Sequence, residues 1–145
     1  MKNIQSAKKR ILYAFSWLTL SSSMVLMLLI TFWLVYPYKI AEFETPFEIV
    51  NPVVKRGDRV RYVIKYCKWV DVSPMITKFF VDGVIFETPK SQSIIPVGCG
   101  EIISDAYVPK ALPAGTYTIK TVAEYKVNPI RTIKIINHTK SFVVQ

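Results

Sequence analysis

The chain has 145 residues, 51% of them apolar, and its 19 Lys and Arg against 10 Asp and Glu give a net charge of +9. This length allows one ordinary domain with an appendage and excludes two full cores. Because 20% of the residues are nevertheless charged, the apolar ones must be gathered in particular stretches rather than spread evenly.

Residues 1–10 form a basic leader with Lys2, Lys8, Lys9 and Arg10 and no acid. From Ile11 to Tyr38 no Asp, Glu, Lys, Arg or His occurs. About 20 helical residues cross a hydrocarbon core of roughly 30 Å, so 11–38 reads as a single transmembrane helix. Trp17 at one end, with Trp33, Tyr36 and Tyr38 at the other, are the amphipathic aromatics expected at the two lipid–water interfaces, and Pro37 ends the helix. A buried helix of a water-soluble domain is a poorer fit, since few such helices are apolar on every face.

The residues flanking the span set its expected orientation. Lys39 to Glu48 holds one lysine and three glutamates, Glu42, Glu44 and Glu48, so the positive-inside rule places the N-terminus in the cytoplasm and 39–145 on the periplasmic or extracellular side. A cleaved signal peptide starts similarly, but its apolar core of about 7–15 residues is shorter and ends in a small-x-small site that Lys39-Ile40-Ala41 does not provide. A type IV pilin-like start needs a glutamate early in the helix, and no acid precedes Glu42. Ser21, Ser22 and Ser23 in mid-span either allow self-association through close helix packing or bond back to their own helix.

Beyond residue 39 the pattern changes to short β-branched and aromatic runs punctuated by Pro, Gly, Asp and Asn every 8–12 residues or so. This predicts an all-β domain over 39–145, a seven-stranded antiparallel sandwich. The first strand, Phe43 to Val54, is interrupted by Pro46 and Pro52 and therefore belongs at an edge. After the Lys55-Arg56-Gly57-Asp58 turn, Arg59 to Val70 should direct Val60, Tyr62, Ile64 and Tyr66 to the core, with Arg59, Arg61, Lys65 and Lys68 mostly on the other face. Met75–Val81 and Val84–Thr88 flank Asp82-Gly83, a hairpin dipeptide. Ile102–Val108 follows, then Tyr117–Val127 with Tyr117, Ile119, Ala123 and Tyr125 on one face. Asn128-Pro129 turns the chain into a last strand from Ile130 to about Val144.

Two resemblances rest on these residues. The stretch Leu112-Pro113-Ala114-Gly115-Thr116-Tyr117 resembles the lead-in to the sixth strand of immunoglobulin-like and fibronectin-III-like domains, where a tyrosine bonds back across the corner. The outer segment is also similar to uncharacterised small membrane-anchored proteins of tailed phages. That likeness rests on Cys67, Phe80-Val81-Asp82-Gly83, Gly98-Cys99 and Tyr125 through Ile133, and implies no activity.

Cys67 near the end of the second strand and Cys99 before the Ile102 strand depart from the antibody pattern, in which the bridge joins the second and sixth strands. In such a sandwich the second and fifth strands are antiparallel neighbours, and a pair outside the cytoplasm should oxidise. A Cys67–Cys99 bridge would stabilise the domain by about 3–4 kcal/mol in the chain-entropy model. Two unpaired thiols are the alternative.

One histidine, His138, and two distant cysteines are too few for an ordinary zinc or copper site, and no nucleophile elbow, phosphate loop or His-Glu-x-x-His run occurs. No catalytic residue, metal or cofactor is therefore expected, and the chain reads as a non-enzyme. Asn137-His138-Thr139 matches a glycosylation acceptor, a tripeptide common by chance.

With four positives in the leader, 39–145 retains 15 basic and 10 acidic residues. Arg59, Arg61 and Lys65 with Trp69 could form a stripe for an acidic protein or anionic envelope polymer; the simpler reading is a solvated strand face. Nucleic acid is not an expected partner on that side of a membrane. The sequence thus reads as a membrane-tethered immunoglobulin-like interaction module. A phage-encoded inner-membrane effector, acting in superinfection exclusion or lysis, and a structural subunit of a membrane or virion assembly are its alternatives.

Overall fold

The computed structural model describes residues 2–36, 39–82 and 84–145. By internal packing the chain divides into two compact units, Met1–Tyr38 and Lys39–Gln145.

The first unit is one helix, α1, Lys2–Val35. Its stretch Lys9–Val35 spans 27 residues at a mean hydropathy of 2.1 and has no buried residue within the chain's own fold, so α1 is long and apolar enough to cross a membrane. The helix starts well before residue 11 because Lys, Gln and Ala in the leader are good helix formers and nothing breaks it there. It ends at Val35, three residues short of the expected 38; Tyr38 lies outside the described residues. Thr19, Ser21 and Thr31 each donate to a carbonyl of the preceding turn, Ser21 to Leu18 at 3.0 Å.

The second unit is built of strands. They are β1 Ala41–Phe43, β2 Glu48–Ile49, β3 Val53–Val54, β4 Arg59–Lys68, β5 Met75–Asp82, β6 Val84–Glu87, β7 Ser91–Gln92, β8 Gly98–Tyr107, β9 Gly115–Asn128, β10 Arg131–His138 and β11 Phe142–Val144. One sheet holds β4 at its centre, with β8 along one side and β1 and β2 in succession along the other. The other has β9 at its centre, with β5 on one side and β10 then β11 on the other. β6 and β7 border β5, and β3 borders β11.

This arrangement corrects the expectation of seven antiparallel strands. Eleven strand segments occur among the described residues, and β3 runs parallel to β11 through Val53↔Val143 and Val54↔Val144. The prolines explain the difference at the first edge. A cis Thr45-Pro46 bond separates β1 from β2, and Pro52 lies where the chain leaves the β4 sheet for the β11 sheet. The last strand is broken as well, because Thr139 turns inward and its Oγ1 accepts the Ile119 N–H at 2.9 Å. At the turn before β4, the Asp58 N–H donates to the Lys55 carbonyl and Gly57 has φ +89°, a value open to glycine at little cost.

Both sheets contribute to one core. Val60, Tyr62, Ile64 and Tyr66 of β4 meet Phe80 of β5, Tyr117 and Ile119 of β9, and Phe142 and Val144 of β11, with Phe47, Val108 and Leu112 closing the rim. The period-two alternation of β4 holds over all ten residues. It puts Lys68 on the core side, against the expectation that this lysine would share the solvated face. Lys68 is 2% exposed, and its ammonium donates to the Ile95 carbonyl at 2.6 Å. A smaller cluster of Ile40, Ala123 and Tyr125, flanked by Val70, Val72, Ile133 and Ile135, fills the end where β1 begins.

Candidate interaction surface

The outward face of the β4 sheet carries most of the residues singled out in the sequence. Odd-numbered residues of β4 point away from the core, so Arg59, Arg61, Lys65 and Cys67 lie in one line, and Trp69 continues it just past the strand end. Register then adds neighbours that sequence distance concealed. Arg61 lies opposite Asp105 on β8, Val63 opposite Ile103, Lys65 opposite Glu101 and Cys67 opposite Cys99. On the other flank Cys67 faces Glu42, and the Glu44 N–H donates to the Lys65 carbonyl.

The three bases of the expected stripe are therefore interleaved with three carboxylates. Arg59 donates to Asp105 at 2.6 Å, and the Lys65 ammonium stands 3.8 Å from Glu44 with Glu101 across the strand. The Arg59 guanidinium holds the Asp105 carboxyl below the usual carboxylate range, and Asp105 in turn raises Arg59. A face so balanced is not a continuous cationic strip. Its exposed apolar side chains include Tyr107 opposite Arg59, Ile103 at its centre and Trp69 at its other end, and the Lys39 ammonium sits 4.4 Å from the Trp69 ring centroid. Lys68 is absent from this face.

Cys67 and Cys99 are bonded, with Cα atoms 4.0 Å apart, as direct cross-strand partners on this outer face. Sequence reasoning put Cys99 ahead of its strand; β8 in fact begins at Gly98, and Gly98 and Gly100 disguised its start. The bridge borders an open depression of about 600 Å³ lined by Glu42, Glu44, Lys65 and Glu101 among others. Of the lining carboxylates Glu42 is on β1, Glu44 just past its end and Glu101 on β8, and among the described residues no group of three or more His, Cys, Asp and Glu is placed to hold a metal ion.

Two further features complete the geometry. The Tyr117 hydroxyl donates to the Pro113 carbonyl at 3.1 Å, the back-bond that the Leu112–Tyr117 stretch suggested. On α1, Trp17 is exposed and Trp33 half-buried, and Tyr36 just past its end is exposed. From Trp17 to Trp33 is about 24 Å along a helix, so these rings are spaced to reach both interfaces of a hydrocarbon layer.

No family model matches the sequence, and no curated protein is similar to it. Among solved structures the chain is similar to the alkylpurine DNA glycosylase AlkC of Pseudomonas fluorescens bound to DNA containing an abasic site analog. The identity is 8% and the TM-score 0.36, over 67% of this chain and 30% of that one. It is also similar to a beta-glucosidase from Listeria innocua in complex with glucose, at 9% identity and a TM-score of 0.32, over 71% of this chain and 16% of that one. The chain thus spans less than a third of either protein, and likenesses this distant carry no argument about activity.

Proposed function

We propose that this chain is a single-pass membrane protein whose β domain is an immunoglobulin-like, non-enzymatic interaction module held outside the cytoplasm. The carrying observation is the combination of a 27-residue apolar stretch with a disulfide-bonded β domain that follows it directly. A disulfide persists in an oxidising compartment, and the basic leader favours the same orientation.

The immunoglobulin-like reading draws support from strand order. When β1 and β2 are taken as one interrupted strand, and β10 and β11 as another, one sheet reads first-second-fifth and the other third-sixth-seventh. These neighbours, with the tyrosine corner at Tyr117, are those of immunoglobulin-like sandwiches. The short β6 and β7 stand in for the fourth strand beside the third, and the parallel β3–β11 pair is an addition to that scheme.

The interleaved charges around exposed Ile103 suit a protein partner better than an anionic polymer, since a polymer gains most from uncompensated positive charge. The test is fractionation combined with thiol trapping in intact cells. The full chain should resist an alkaline wash, dissolve only in detergent, and react with a maleimide only after reduction. A chain found in the soluble fraction, or one with both thiols free, would overturn the proposal.

A further inference from the structure

The β domain has one end marked out by exposed apolar side chains. Ala41↔Lys68 and Lys68↔Gly98 set the start of β1, the end of β4 and the start of β8 side by side. The Ser93 N–H donates to the Pro74 carbonyl, and Met75 pairs with Gln92 and Glu124, which brings the start of β5 and the β9–β10 turn to the same end. Here Ile94 is 87% exposed, Val97 53%, Ile130 52%, Trp69 47% and Met75 43%. The opposite end is closed by turns bearing Lys55, Arg56, Asp58, Asp82 and Lys110.

Chain connectivity gives the apolar end its neighbour. From Val35, the last residue of α1, to Ala41, the first of β1, is six residue steps, which extended chain covers in no more than about 20 Å. If α1 spans a bilayer, this end of the domain is held within that distance of the membrane surface, whereas the tether places no such limit on the charged end.

We propose that the end formed by Trp69, Ile94 and Val97 rests in the headgroup–acyl boundary of the bilayer, so that the domain docks on the lipid surface rather than swinging from its tether. The inference rests on the reading of α1 as a membrane span. Tryptophan with aliphatic neighbours is the composition that partitions to this depth, and Lys39 beside Trp69 matches the headgroup level. Asp71 at the same end, its side chain 92% exposed although 4.0 Å from the Lys68 ammonium, keeps the contact shallow.

Trp17, Trp33 and Trp69 are the three tryptophans of the chain, which makes the test direct. The full-length Trp17→Phe/Trp33→Phe variant is reconstituted into phosphatidylcholine vesicles whose lipids are brominated near the headgroup end of the acyl chains. Trp69 emission should fall by at least half relative to bromine-free vesicles, and Ile94→Asp with Val97→Asp in that background should restore most of it. Unchanged Trp69 emission overturns the inference, whether the domain floats free or a protein covers this end. The Trp69→Phe variant separates the two levels of argument. Quenching of its Trp17 and Trp33 with none at Trp69 leaves the span standing and removes only the docking; no quenching of any tryptophan removes both.

Discussion

The Lys68 ammonium, 2% exposed, donates to the Ile95 carbonyl at 2.6 Å and so ties the last residue of β4 to the segment leading into β8. Lys68→Met keeps the length of the side chain but leaves that carbonyl without its donor. A loss of about 1–3 kcal/mol in unfolding free energy is expected, read as a lower denaturant midpoint of the detergent-solubilised chain. Lys65→Met, on the solvated face of the same strand, should change it by less than about 0.5 kcal/mol.

Tyr117→Phe removes the hydroxyl that donates to the Pro113 carbonyl and leaves the buried ring in place. The expected cost is about 1 kcal/mol, read as a lower denaturant midpoint with an unchanged slope.

Reducing Cys67–Cys99, or replacing both residues by serine, should lower stability by about 3–4 kcal/mol through the greater freedom of the unfolded chain. Because the bridge lies on the outer face, the reduced domain should keep its core and show an unchanged far-ultraviolet spectrum in the absence of denaturant. A spectrum collapsing on reduction alone would contradict this placement.

Burial pushes the Tyr125 phenol up to about 12 from its ordinary value of 10.0. A group whose pKa is raised on folding contributes stability that is complete below its unfolded pKa and is lost as pH rises through the folded one. Alkaline destabilisation should therefore develop between about pH 10 and 12, and Tyr125→Phe should remove its share. Chemical denaturation across that range is the measurement.

Much of this architecture was legible residue by residue. The alternation from Arg59 to Cys67 predicted the two faces of β4, and Tyr117, Ile119, Ala123 and Tyr125 fell on one face of β9 as expected. Pro46 and Pro52 marked the first strand as an edge but gave no sign that its last part would pair in parallel with β11, since a proline reports a broken ladder and not the next partner. The candidate surface was half legible. Arg59, Arg61 and Lys65 were found together because period two places them so, whereas Glu44, Glu101 and Asp105 joined them through pairing across strands. Lys68 was misplaced because charge argued for solvent, while the carbonyl that satisfies it is 27 residues away.

The position of the disulfide also bears on how the domain would carry mechanical load. A pull delivered through the tether enters β1, three residues long, and passes to β4 at Lys68, Cys67 and Tyr66. Directly across β4, Cys67 is covalently joined to Cys99 at the loaded end of β8, so the two ten-residue strands cannot be peeled apart from that side. Yielding is thereby shifted to the short β1 edge, and the rest of the sheet would stay whole under tension that detaches it.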